Sequence, residues 1–124
     1  MQNTRSTGNQ ELLRIGIVGA GGMARQRAIA FQGMSGVQFL GIHSRSETRR
    51  NSLGTELGVK AFSSYDGILE ATDAIVLCVP NNLHADLATR ALAAGKHVLV
   101  EYPLCLKQEE TDPLVCAAKT SQRV

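Results

Sequence analysis

Three nearly continuous apolar runs constrain the fold of this 124-residue chain more than any other feature of its sequence. They lie at 12–19, 73–80 and 96–102, and two shorter runs lie at 37–43 and 59–62. Apolar runs without polar alternation are typical of strands that are covered on both faces, as in parallel sheets. Because parallel strands need crossover connections, we expect helices between the runs.

The segments between the runs have the spacing of amphipathic helices. Four helices are predicted, over 22–33, 44–57, 64–71 and 82–94. The second opens with Ser44-x-x-Glu47, which predicts a capping box with Ser44 as the N-cap. Gly95 follows the fourth helix and is a residue suited to ending it.

Strands and helices that alternate in this way predict an α/β fold with a doubly wound parallel sheet. Right-handed crossovers give the strand order 3-2-1-4-5. In such a sheet, ligands bind beyond the carboxyl ends of the strands, at the switch point between strands 1 and 4.

Composition narrows the class of protein. Hydrophobic residues are 44% and charged residues 19%, as in a globular protein, and a net charge of +2 is too small to indicate nucleic-acid binding. No apolar run approaches the roughly 20 residues of a membrane span. Residues 1–11 are polar and are interpreted as a disordered tail rather than a signal peptide.

The three cysteines fit no zinc-binding spacing, so no metal site is predicted. Cys78 lies within an apolar run and is interpreted as a small buried hydrophobic residue. An odd number of cysteines without a metal-binding spacing favours a reducing, cytoplasmic location.

A glycine-rich turn follows the first predicted strand. Gly19-x-Gly21-x-x-Ala24 has the spacing of a dinucleotide-binding fingerprint and opens the first helix, as that fingerprint requires. The alternative is an ordinary strand–helix turn without a ligand. We predict that Gly19 and Gly21 hold a diphosphate. Three further residues of the turn are predicted to bind the cofactor: Ala20, Gly22 and Met23.

The end of the second strand bears on the choice of cofactor. An acid that would bind a ribose 2′-hydroxyl is expected there in an NAD-binding unit, but the chain has Ser44 and Arg45 instead. These two residues and Arg49 are predicted to bind a 2′-phosphate, which favours NADP(H) over NAD(H). The alternative is that Arg49 and Arg50 form a solvated helix face.

The stretches "IGIVGAGGMA" and "VPNNLHADLATRALAAGKHVLVEYPL" resemble the N-terminal domain of the Gfo/Idh/MocA oxidoreductases over about residues 12–110. The resemblance implies a Rossmann domain that precedes a larger substrate domain, and hydride transfer between a nicotinamide and an organic substrate. The family's nicotinamide-side segment matches four positions: Val79, Pro80, Asn81 and His84. Alone, His84 is equally consistent with a capping or solvated residue.

Where the family has a Glu-Lys-Pro motif, this chain has Glu101-Tyr102-Pro103. The resemblance implies that Glu101 lies on the nicotinamide side and that Tyr102 replaces a lysine near the substrate, where it would orient substrate or donate a proton. The stretch also resembles the biliverdin reductases, a branch that reduces a linear tetrapyrrole. Alternatively, Glu101 caps backbone N–H groups and Tyr102 is a half-buried aromatic residue.

These observations predict one dinucleotide-binding domain over 12–124, with an incomplete last helix and no C-terminal substrate domain. The expected function is the NAD(P)-binding part of an oxidoreductase acting on a sugar-like or polyol-like substrate or a linear tetrapyrrole. Such a part alone is expected to be inactive, with the dinucleotide as its partner and its oligomeric state left open. The alternatives are a nucleotide-binding module without catalysis and a truncated remnant.

Overall fold

The computed structural model of the protein describes residues 11–100 and Ala118. Five strands alternate with four helices along the described residues. In chain order they are β1 (Leu13–Val18), α1 (Gly22–Gln32), β2 (Val37–His43), α2 (Glu47–Leu57), β3 (Lys60–Phe62), α3 (Tyr65–Ala71), β4 (Ala74–Leu77), α4 (His84–Ala93) and β5 (His97–Val100). A short 3-10 turn, Asn81–Leu83, precedes α4.

The five strands form one parallel sheet in the order β3-β2-β1-β4-β5, which confirms the predicted topology. Val18, at the end of β1, pairs with His43 on one side and with Leu77 on the other. The last residues of the three central strands therefore lie at one edge of the sheet. The switch point between β1 and β4 is at this edge, where a ligand crevice is expected.

Helices cover both faces of the sheet. Alternate residues of β1 and β4 enter different cores, so that Ile17 and Val76 pack on the α1 side while Val18 and Leu77 pack on the α3–α4 side. Since both faces of these strands are buried, they carry no polar alternation. Double coverage thus explains the continuous apolar runs of the sequence.

The start of α2 differs from the prediction. Its N-cap is Ser46, whose Oγ accepts a hydrogen bond from the Arg49 N–H at 3.2 Å. Ser44 lies before the helix and its Oγ accepts from the Ser46 N–H. The predicted capping box is therefore wrong, because β2 stays paired to β1 and β3 through His43 and the chain needs two further residues to leave the sheet.

The end of α4 agrees with the prediction. Gly95 has a φ of +80°, and the Lys96 N–H that follows it donates to the Ala91 carbonyl at 3.0 Å. This left-handed termination lets the chain reverse directly into β5. Across residues 11–100, the helices are all too short or too polar to cross a bilayer.

Candidate functional site

A cleft of about 530 Å³ lies at the carboxyl edge of the sheet. The ends of β1, β2 and β4 form its base, so it occupies the switch point. Eight of the predicted site residues line it: Gly19, Ala20, Gly21, Ser44, Arg45, Arg49, Val79 and Pro80. The fold therefore brings together residues that are as many as 61 positions apart in the sequence.

Gly19 is required by the fold itself. Its φ is +129°, and a Cβ at this position would overlap the carbonyl oxygen of Cys78. Its N–H donates to the His43 carbonyl at 2.7 Å, which joins the ends of β1 and β2. A side chain here would strain the backbone and push β4 away from β1.

Gly21 has no such internal requirement. Its φ is −92°, and apart from its chain neighbours no atom of the described residues lies within 4 Å of the place where a Cβ would stand. It is the N-cap of α1 and, having no side chain, leaves the start of that helix without a side-chain cap. The positive end of an 11-residue helix without such a cap suits an anionic group that approaches the backbone closely.

Gly22 and Met23 form the first turn of α1 beside this space. Neither lines the main cleft. A Cβ on Gly22 would also meet no atom of residues 11–100 within 4 Å, apart from its chain neighbours, and Met23 is 48% exposed. They are adjacent to the predicted diphosphate position rather than facing the interior of the cleft.

Two cationic side chains flank the cleft at the end of β2. Arg45 and Arg49 are exposed, and neither guanidinium makes a hydrogen bond or ion pair with another residue in the part of the chain that the structure describes. Within that same part, no carboxylate lines the cleft. Among the described residues, the charges of Arg45 and Arg49 are thus not compensated by a protein carboxylate, which suits a ligand that carries several negative charges.

Arg50 is less exposed than Arg49 and forms a hydrogen bond within the protein. Its side chain is half-buried, and Nη1 donates to the Ser44 carbonyl at 3.1 Å. The alternative of a solvated arginine face is therefore wrong for Arg50, because the side chain turns back towards the strand end and fixes the segment that carries Ser44 and Arg45.

His84 does not line the cleft. It is fully buried at the start of α4, and its Nε2 lies 2.9 Å from the Val79 carbonyl oxygen. The imidazole donates this bond, since a carbonyl oxygen only accepts. This hydrogen bond holds the Val79–Pro80 segment in position, while Val79 and Pro80 themselves line the cleft.

The opposite wall of the cleft is built from residues that the sequence analysis did not assign to the site. Tyr65, at the start of α3, donates from its hydroxyl to the Leu87 carbonyl at 2.6 Å, and burial raises the pKa of the Tyr65 phenol. The Arg90 guanidinium lies 4.9 Å from the Tyr65 ring centre and 3.3 Å from the Asp66 carboxylate. No local pattern marks these residues, because their proximity results from packing α3 against α4.

Cys78 also belongs to the cleft. It is half-buried, since it packs against the core on the α1 side and also lines the cleft, so its interpretation as a buried hydrophobic residue is confirmed only in part. β4 ends at Leu77, and Cys78 is the first residue beyond the sheet edge. It is therefore covered by the core on one side only.

Three predicted site residues have no described side chain. Asn81 begins the short turn before α4, where only its backbone is described. Glu101 and Tyr102 lie outside the described residues, so their roles stay predictions.

Comparison with known proteins agrees with this geometry. A family model described as an oxidoreductase family with an NAD-binding Rossmann fold, GFO_IDH_MocA, matches residues 13–124. Glucose-6-phosphate 3-dehydrogenase from Bacillus subtilis is 33% identical over 97 residues, which is 78% of this chain and 28% of that protein.

Two solved structures are similar in fold. Biliverdin reductase from Synechocystis sp. PCC 6803, in complex with biliverdin and NADP⁺, has a TM-score of 0.85 and 32% identity, covering 90% of this chain and 36% of that one. GenD2 from gentamicin A biosynthesis, in complex with NAD, has a TM-score of 0.87 and 28% identity, covering 92% of this chain and 33% of that one. The chain spans about a third of the length of the curated relatives it matches, between 28% and 36% for three of them.

Proposed function

Because this chain belongs to the Gfo/Idh/MocA oxidoreductase family and forms its NAD(P)-binding Rossmann domain, we propose that its cleft prefers NADP(H) to NAD(H). We further propose that the domain serves an enzyme that moves a hydride between this cofactor and a small organic substrate.

The guanidinium groups of Arg45 and Arg49, which have no partner among the described residues, carry the cofactor preference. They stand at the end of β2 beside Ser44, where the ribose 2′-position of a dinucleotide falls in this fold. An NAD-specific unit needs a carboxylate there, and none lines this part of the cleft among residues 11–100. Two cations and a hydroxyl instead match a 2′-phosphate, since charge-assisted hydrogen bonds to phosphate are the strong ones.

The orientation of the dinucleotide follows from the order of the strands. The diphosphate would lie against the Gly19–Gly21 turn at the end of β1, with its adenosine half towards β2 and its nicotinamide half towards β4. Val79 and Pro80 would then line the nicotinamide side, with Asn81 beside them. When bound, the nicotinamide supplies or accepts the hydride, and the chain's own residues bind and orient it.

The substrate that we propose is a sugar-type alcohol or the corresponding ketone. The relative that acts on glucose 6-phosphate by its name supports this choice, and the similarity to biliverdin reductase favours a linear tetrapyrrole as the second candidate. In either case Glu101 and Tyr102 follow β5 directly in the sequence and are proposed to act near the nicotinamide, with Tyr102 orienting the substrate or donating a proton.

The cofactor preference is tested by titrating the chain with NADPH and with NADH in a calorimeter. We expect tighter binding of NADPH, and we expect Arg45→Asp to lower the NADPH-to-NADH affinity ratio by about tenfold to a hundredfold, from the loss of charge-assisted bonds and the added repulsion. Arg27→Asp is the matched control, since it makes the same charge change at an exposed position of α1 outside the cleft.

An affinity ratio that is unchanged in Arg45→Asp would remove the arginine from cofactor selection. Absence of binding by either dinucleotide to the wild-type chain would refute the function itself. The substrate proposal is checked separately in an enzyme that joins this domain to a substrate domain, by following the nicotinamide oxidation state with sugar phosphates and with biliverdin as alternatives.

A further inference from the structure

His43 is a buried polar residue at the base of the cleft. It is the last residue of β2, it is only 8% exposed, and it lines the cavity. A side chain that is more than nine-tenths buried needs a hydrogen-bonding partner for each of its polar atoms. The imidazole has two ring nitrogens, so both must be accounted for.

One of the two ring nitrogens forms a hydrogen bond within the protein. Nδ1 lies 2.8 Å from the Phe62 carbonyl oxygen, which ties the end of β2 to the end of β3. A carbonyl oxygen only accepts, so Nδ1 carries the hydrogen of this bond. Nε2 makes no hydrogen bond with any residue in 11–100. In the neutral ring with the hydrogen on Nδ1, Nε2 is a hydrogen-bond acceptor.

The register of the sheet shows towards which wall His43 points. Residues paired across neighbouring strands share a face, and His43 is paired with Val18 and with Phe62. Both of these belong to the core on the α3–α4 side. The imidazole therefore faces the wall that contains Tyr65 and Arg90, on the β2 side of the glycine turn.

We propose that His43 is a further dinucleotide-binding residue, whose Nε2 accepts a hydrogen bond from a hydroxyl or amino group of the adenosine half. This inference rests on the proposed function, because the adenosine half is placed by the 2′-phosphate site at Ser44 and Arg45. The adjoining wall suits that assignment, since it combines the half-exposed Arg90 guanidinium, which stacks on the buried Tyr65 ring, with Leu83 and Leu87. A planar base packs well against a guanidinium plane and apolar side chains.

Two substitutions separate the two ring nitrogens. In His43→Asn the amide nitrogen stands near the place of Nδ1, so the bond to Phe62 is kept and the group at Nε2 is lost. In His43→Gln the amide reaches the place of Nε2, so the opposite group is kept. We therefore expect His43→Asn to weaken ligand binding more and His43→Gln to lower stability more. A histidine with a purely structural role would not give these opposite rankings.

The probe is 2′,5′-ADP, which carries the adenosine half without the nicotinamide, with NADPH measured alongside. We expect His43→Asn to bind both about threefold to tenfold more weakly than His43→Gln, the effect of one net hydrogen bond. We expect the melting temperature of the ligand-free chain to be lower for His43→Gln. Equal affinities, or weaker binding by His43→Gln, would overturn the proposal.

A measurement on the wild-type chain does not depend on the folding of either variant. Its three histidines give separate ring-nitrogen resonances in NMR, and the His43 Nε2 resonance should shift on addition of 2′,5′-ADP while that of His97 stays in place. A wild-type chain that binds 2′,5′-ADP without this shift would refute the role of His43 alone. A wild-type chain that binds no dinucleotide would refute the proposed function instead.

Discussion

At the scale of single residues, two glycines of one turn serve different purposes. Gly19 adopts a left-handed φ and touches the Cys78 backbone, so the protein needs a glycine there in order to fold. Gly21 has an ordinary φ and open space around its Cβ position among the described residues, so the fold tolerates a side chain there. This difference supports the proposed close approach of a diphosphate to the backbone at Gly21.

The substitution Gly21→Ser tests this distinction. The serine hydroxyl can cap α1, which has no side-chain cap, so the free energy of unfolding should stay within about 0.5 kcal/mol of wild type or rise. The same side chain would fill the space for the diphosphate, and NADPH affinity should fall by about tenfold or more. Chemical denaturation and calorimetric titration give the two quantities.

Gly19→Ala is the matched comparison. It should destabilise the chain by roughly 1–3 kcal/mol through its backbone strain. Equal stability losses in the two variants would contradict the division of roles between Gly19 and Gly21.

At the scale of elements, hydrogen bonds tie together the ends of neighbouring strands at the edge of the sheet opposite the cleft. Opposite the cleft, the Asp73 carboxylate accepts from the Arg14 backbone N–H at 2.9 Å and from its guanidinium at 2.8 and 3.2 Å. The Asp73 N–H in turn donates to the Arg14 carbonyl, and the His97 N–H donates to the Asp73 carbonyl. One aspartate thus connects the beginnings of β1, β4 and β5 while the other edge stays open for a ligand.

This connection predicts an acid-sensitive contribution to stability. The hydrogen bonds from Arg14 lower the pKa of Asp73 from 3.8 to about 2. A carboxyl whose pKa is lower in the folded state stabilises the fold above its unfolded pKa, and this stabilisation is lost as pH falls through the folded pKa. We therefore expect it to be complete above about pH 4 and to disappear towards pH 2.

The measurement compares melting temperatures of wild type and Asp73→Asn between about pH 5 and pH 2. The variant should be the less stable at pH 5, by a modest amount since the pair is partly exposed, and the difference should shrink with acidity. A difference that is constant with pH would show that ionisation of Asp73 does not contribute. Asp66→Asn is a suitable control, because the Asp66 side chain is 84% exposed.

At the scale of the whole molecule, the cleft joins two halves of the sheet. Its walls come from β1, β2 and α2 on one side and from α3, the segment after β4, and α4 on the other. A ligand that contacts both sides stabilises the folded state by mass action, since the unfolded chain has no such cleft. The size of this effect depends only on the ligand concentration relative to its Kd.

We expect NADPH at about a hundredfold excess over its Kd to stabilise the chain by about 2.7 kcal/mol. Because Cys78 lines the cleft, the same addition should slow alkylation of the Cys78 thiol. Calorimetric melting and peptide mass spectrometry report the two effects. At the same NADPH concentration Gly21→Ser should be stabilised by no more than about 1.4 kcal/mol, since a tenfold loss of affinity leaves only about a tenfold excess over its Kd. An unprotected Cys78 in a chain saturated with NADPH would contradict the placement of the ligand.

The sequence by itself determined the fold and part of the site. Strand order, the turn at Gly19 and Gly21, and the arginines after β2 follow from patterns local to the chain: apolar periodicity, glycine spacing, and the residues after each strand. These patterns are visible in the sequence because burial of both sheet faces and the tight turn each constrain individual residues.

Only the tertiary structure decided the orientation of several side chains. It capped α2 with Ser46 rather than Ser44, buried His84 beneath Val79, and turned Cys78 towards the cleft. It also brought Tyr65 and Arg90 together opposite His43, with one ring nitrogen of that histidine committed to Phe62. These contacts join residues on different elements, so they depend on strand register and helix packing, which no local spacing encodes.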